Sequence, residues 1–149
     1  MIPVTQTKVL VKDSRGNIHV RGNCYASCIA SILELTITEV PNVEVFYHLD
    51  NGYHDEVMLT FLNSKGWELC TDDRFKLFHQ DFEDTSFSCT DYSDPELNGL
   101  KERYYLVSGK SERGVYHMCI FKAGKLVHDP HPSREGLKTV EHFQTLEKA

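Results

Sequence analysis

The chain has 149 residues and a formal net charge of −6, which is long enough for one domain to bury a core without covalent staples. The acidic balance and the lack of any Lys/Arg run argue against nucleic acid and against an anionic membrane surface, both of which need a concentrated basic face. No segment approaches the roughly 18 apolar residues of a membrane span, and the first residues lack a basic start followed by an apolar core, so a cytoplasmic setting is expected.

Five cysteines, Cys24, Cys28, Cys70, Cys89 and Cys119, form an odd set without tandem spacing, which suits free thiols better than a disulfide framework. Residues 8–20 read as a hairpin, with Val9-Leu10-Val11 and Ile18-His19-Val20 flanking the turn residues Asp13 to Asn17. Residues 24 to about 35 read as a helix with Cys28, Ile29, Ile32 and Leu33 on one face, and Pro41 forbids its continuation. A second helix is expected from near His54 or Asp55 to Lys65, with Val57, Phe61 and Leu62 inward and Gly66 as its stop.

Residues 67–70 read as a short strand. The acidic stretch 71–99 has no clear period, although Phe75, Phe78, Phe82 and Phe87 suit packing. From Arg103 the pattern turns to strands at 104–107, 115–121 and 125–128, with a weaker one at 139–143. Helices first and an antiparallel sheet second predict an α+β fold in a single domain. The polar stretch 108–114 reads as a solvated turn beside the site and a candidate substrate lip; it lacks the upstream glycine and the context of a phosphate loop.

The chemistry concentrates at Gly22-Asn23-Cys24. A helix start presents unpaired N–H groups and the positive end of the macrodipole, which favour thiolate over thiol and offer donors to an oxyanion. Cys28 is the alternative nucleophile, but it sits one turn inside the helix on the apolar face, which suits a buried, inert thiol. A thiol of this kind needs an imidazole to take its proton and a carboxylate to orient the imidazole. His117, inside a strand, and Asp129-Pro130, after the following one, supply those types.

Together with an upstream Gln6 and the Asp129-Pro130-His131-Pro132 segment, these pieces resemble the papain-like cysteine peptidase superfamily. The nearest branch is the small one that includes the leader peptidases of bacteriocin exporters, along with similar short phage and bacterial proteins. The resemblance implies a papain-like fold with its N-terminal helices packed on the sheet. It also implies that Cys24 attacks, His117 serves as general base and then acid, Asp129 orients His117, and Gln6 donates to the oxyanion beside the Cys24 N–H.

The implied activity is that of a thiol hydrolase cleaving an amide, isopeptide or ester through a thioester on Cys24, with a protein or peptide as substrate. Deamidation and transfer to amines use the same first half-reaction. A non-catalytic binding or inhibitory module on the same fold, and peptidoglycan hydrolysis, are the competing readings. No cofactor and no metal are expected: His128, His131 and Cys119 fit no standard ligand spacing.

One geometric expectation is sharp. His117 meets Asp129 only if both leave the same face of their hairpin. The expected connection is therefore a three-residue loop, Lys122-Ala123-Gly124, with Gly124 at its left-handed position, which would place them directly opposite, with Cys119 and Val127 on the same face. A two-residue turn at Ala123-Gly124 would put Asp129 opposite Met118, on the wrong face.

Overall fold

A computed structural model of the chain describes residues 1–49, 51–71 and 103–149. The expectations for 72–99, including the packing of its phenylalanines and the state of Cys89, lie outside the described residues. The fold is α+β, as the order of patterns predicts. No helix among the described residues is long and apolar enough to cross a membrane.

The chain forms two compact units: Met1–Glu68 with Pro130–Pro132 and Lys148–Ala149, and Leu69–Asp129 with Ser133–Glu147. The first opens with an extended segment and the hairpin β1 (Val11–Lys12) and β2 (Ile18–Val20), whose strand residues are all exposed. Helix α1 (Cys24–Leu33) follows. It stops two residues short of the expected 35 and well before Pro41, because Glu34 takes a left-handed conformation with φ 57° and Leu35 N–H bonds back to Ala30 O at 2.9 Å.

Two 3-10 segments, Ile37–Glu39 and Val43–Leu49, lead into α2 (Tyr53–Ser64). Gly66, with φ 83°, ends that helix as expected. Its buried residues are Met58 and Leu62, while Val57 and Phe61 are only half-buried, which corrects the expected inward face.

The second unit is built on the sheet of β3 (Trp67–Thr71), β4 (Tyr104–Lys110), β5 (Tyr116–Lys122), β6 (Lys125–His128) and β7 (His142–Lys148), in the spatial order β3-β7-β4-β5-β6. Tyr105, Val107, Cys119, Phe121, Leu137 and Phe143 form one buried cluster, with Leu126 and Val140 packed against it. On the opposite face Leu106, Met118 and Ile120 are buried too. A central strand covered on both faces reads as a continuous apolar run, as residues 118–121 do.

Three strand expectations need correction. Strand β4 runs on through Ser108-Gly109-Lys110, so most of the expected polar lip is sheet, and Ser111 is buried in a bridge to Leu137. Gly109 permits this: a β-carbon there would stand 2.0 Å from Thr139 O. The last strand begins at His142 rather than at 139, because Lys138 and Thr139 donate to Lys110 O and Glu141 to Ser108 O along the edge of β4 before the ladder proper.

The register of β5 and β6 differs from the expected one. Lys122 pairs with Lys125 and Phe121 with Leu126, which leaves a two-residue turn, Ala123-Gly124, with φ 54° and 75°. Two positive φ values make a type I′ turn, whose twist matches the flanking strands. Gly124 N–H donates to the buried Tyr105 hydroxyl at 3.0 Å, fastening the turn to the core. The register then slips by one between Phe121 and Ile120, so that Ile120 pairs with His128.

Candidate active site

The β-bulge restores what the tight turn takes away. Val127 is the extra residue and points outward, 43 % exposed, so it does not share the Cys119 face as expected. The ladder ends with Ile120 and His128, and Asp129, the residue after it, falls by alternation on the face of His117. Its Oδ1 lies 2.5 Å from His117 Nε2, with both side chains buried. His117 and Asp129 therefore meet as expected, through a diagonal contact rather than a direct cross-strand pair.

The carboxylate is held from its other side as well. Gly136 N–H donates to Asp129 Oδ2 at 2.8 Å, and Arg134 Nη1 donates to the Asp129 carbonyl. Gly136 has φ 77°, a conformation that suits glycine. Asp129 thus meets the His117 ring at Nε2, and a carboxylate at that nitrogen favours the tautomer that carries its proton there.

Cys24 is the first residue of α1 and half-buried, whereas Cys28 is fully buried, as its position on the apolar face predicts. The extended N-terminal segment runs along this helix: Val4 N–H donates to Ser31 Oγ at 2.9 Å and Lys8 N–H to Asn23 Oδ1 at 3.0 Å. Four extended residues cover about 13 Å and eight helical ones about 12 Å, so the two run in step. That match delivers Gln6 to the helix start. Gln6 is buried, its amide nitrogen stands 3.1 Å from where a Gly22 β-carbon would be, and its own N–H donates to Pro130 O at 2.9 Å.

Sequence reasoning passed over several residues in the unit that carries Cys24. Glu44 is 2 % exposed and pairs with Lys8 Nζ at 2.8 Å through Oε1. Tyr47, three residues on, has its phenol held above the ordinary tyrosine value by burial first, then by the charges of Cys24, Glu44, Tyr25 and Asp55. It stays a neutral hydroxyl at physiological pH, within electrostatic reach of Cys24. The His54 ring stacks edge-on against Tyr47, with centroids 4.8 Å apart. Glu44 and Tyr47 share an irregular 3-10 segment with no periodic apolar pattern, so nothing in the sequence marked them.

His117, Cys119 and Asp129 also bring their nitrogen, sulfur and oxygen within 4.8 Å of one another, a grouping that raises the question of a metal. The His117–Asp129 contact bears on it. Two ligands on one tetrahedral zinc, with bonds of about 2.0–2.1 Å, stand about 3.3 Å apart. At 2.5 Å, His117 Nε2 and Asp129 Oδ1 are instead hydrogen-bonded partners. A scan of protein-family models, a search of curated proteins and a search of solved structures each match nothing, so the case for function rests on this chemistry alone.

Proposed function

We propose that the protein is a cytoplasmic, papain-like thiol hydrolase that acts on an amide, isopeptide or ester of a protein or peptide through a thioester on Cys24. The observation that carries the reading is the buried His117–Asp129 pair, since a carboxylate clamped at Nε2 fixes the tautomer and raises the basicity of the ring. In the proposed reaction the Cys24 thiol gives its proton to the His117 imidazole as Sγ bonds to the carbonyl carbon, and the carbonyl π pair moves onto oxygen. Collapse of that intermediate expels the amine or alcohol, which takes the proton from His117. Water then attacks the thioester by the same route in reverse. An amine in place of that water gives transfer, and a glutamine side chain as donor gives deamidation.

Limiting iodoacetamide near pH 6, with the labelled cysteines read by mass spectrometry, tests the reading. Cys24 is expected to be labelled well before Cys28, Cys70, Cys89 or Cys119, and His117→Ala is expected to abolish that preference. Uniform labelling, or preference for Cys28, sinks the assignment.

A further inference from the structure

We propose that Asn23 is a positioning residue: it holds the Gln6 amide at the start of α1 and at the same time leaves the first-turn N–H groups of the helix uncovered. This rests on the reading of Cys24 as nucleophile. Asparagine before a helix ordinarily folds its side chain over the first turn as a cap. The Asn23 side chain makes no such bond. It turns the other way and spends its hydrogen-bonding capacity on the N-terminal segment, with Oδ1 accepting from Lys8 N–H at 3.0 Å and Nδ2 donating to Thr7 Oγ1 at 2.9 Å. The Asn23 main-chain N–H adds a third bond, to Lys8 O at 3.1 Å.

Lys8 O is the group that orients Gln6. A carbonyl oxygen only accepts, so the Gln6 atom 2.7 Å from it is the amide nitrogen. That nitrogen carries two hydrogens, and Lys8 O takes one. The second belongs to the same atom that crowds Gly22, two residues before Cys24. Gln6 is 7 % exposed, and its Oε1 is buried without a partner among the described residues. Burying an amide while leaving its oxygen unpaired is unfavourable, and the Lys8 contact compels it. Lys8 is in turn held by the Glu44 carboxylate. Asn23, 2 % exposed, is thus the link that couples the donor on residue 6 to the donors of the helix start, and an oxyanion on Cys24 needs both preassembled.

Two small reagents separate this role from a structural one. In acylation by p-nitrophenyl acetate, Sγ adds to the ester carbonyl, the π pair moves onto oxygen, and the intermediate expels p-nitrophenolate to leave an acetyl thioester. Alkylation by iodoacetamide displaces iodide at a saturated carbon and forms no oxyanion. In Asn23→Ala the acylation rate at Cys24 is expected to fall about tenfold while alkylation stays within about twofold, since a displaced donor loses part of the effect of a deleted one. Thr7→Val, which removes only the partner of Nδ2, is expected to lower the same ratio about threefold, and it keeps the test available if Asn23→Ala does not fold. An unchanged ratio in a folded variant overturns the proposal, as does a parallel fall of both rates. Wild-type Cys24 that is alkylated but never acylated removes the pocket itself. Wild-type Cys24 no more reactive than Cys70 removes the underlying reading.

Discussion

The two units solve the burial of polar groups in opposite ways. In the unit carrying His117, the buried His117 and Asp129 sit in a network whose oxygens each meet a donor, backed by a continuous strand ladder. In the unit carrying Cys24, four buried side-chain atoms have no partner: Gln6 Oε1, Tyr25 Oη, Glu44 Oε2 and His54 Nδ1. All of those found among the described residues lie in this one unit. Saturated networks rigidify, and unsaturated ones cost stability. Among the described residues the proposed base is therefore held by a saturated network, while the unit of the proposed nucleophile retains hydrogen-bonding capacity that folding did not consume.

That contrast breaks most visibly at Gly109, which faces His117 across the ladder. Gly109→Ala drives a methyl to 2.0 Å from Thr139 O, a main-chain atom that cannot rotate away. A loss of about 3 kcal/mol or more in urea unfolding is expected. A variant as stable as wild type would show that the β4 edge is looser than the ladder implies.

In the other unit the corresponding test is Lys8→Met, which strands the Glu44 carboxylate in the interior. Breaking a fully buried pair costs 3–5 kcal/mol, but the Lys8 side chain is 39 % exposed, so about 2 kcal/mol is expected. The double variant Lys8→Met/Glu44→Gln should recover most of the loss, because the stranded charge is gone. If the double variant is no better than the single one, packing of the lysine stem and not its charge was what mattered.

A gain is expected at the β5–β6 turn. Ala123 holds φ 54° without glycine's freedom, and Ala123→Asn places there the residue that type I′ turns prefer, for about 0.5–1 kcal/mol of added stability in thermal melts. The smallest effect concerns pH. Asp13 accepts from Asn17 and Arg15 N–H groups in the hairpin turn, and the Asn17 bond leads in holding its carboxyl below the usual value of 3.8. Its folded value is depressed, so its contribution is present above 3.8 and fades as pH falls through the lower folded value. The melting difference between wild type and Asp13→Ala should be slight at pH 6 and narrow further toward about pH 2.

Most of the strand positions were legible because apolar alternation and turn residues speak directly, as at 115–121 and 125–128, whereas the order of the strands across the sheet was not. The His117–Asp129 encounter was legible in outcome but not in route. Reading Gly124 as the left-handed residue of a longer loop missed that Ala123 also adopts positive φ, since the Tyr105 hydroxyl that rewards the tighter turn is remote in sequence. Nor does anything at Val127 announce a bulge, although without it the carboxylate would face away. Glu44 and Tyr47 were illegible for a different reason: short 3-10 segments carry no period, and the worth of a buried carboxylate depends on a lysine far upstream. Asn23 was visible as a turn residue, but its partners Thr7 and Lys8 were not.

The hairpin between Gln6 and Cys24 has a bearing on how such motifs are sought. Lys8 and Asn23 are bonded to each other through main chain and side chain, so everything between them hangs from a closed neck. Residues 9–21 make no hydrogen bond to the rest of the chain among the described residues. Closing a longer or shorter excursion over the same neck changes the entropy only logarithmically with length. Distance along the chain between the proposed donor and the proposed nucleophile is thus nearly free to drift while the neck keeps its geometry. A pattern search built on constant spacing discards such a chain, whereas one that looks for the neck, a residue pair just inside the two candidate positions that ties the chain to itself there, retains it.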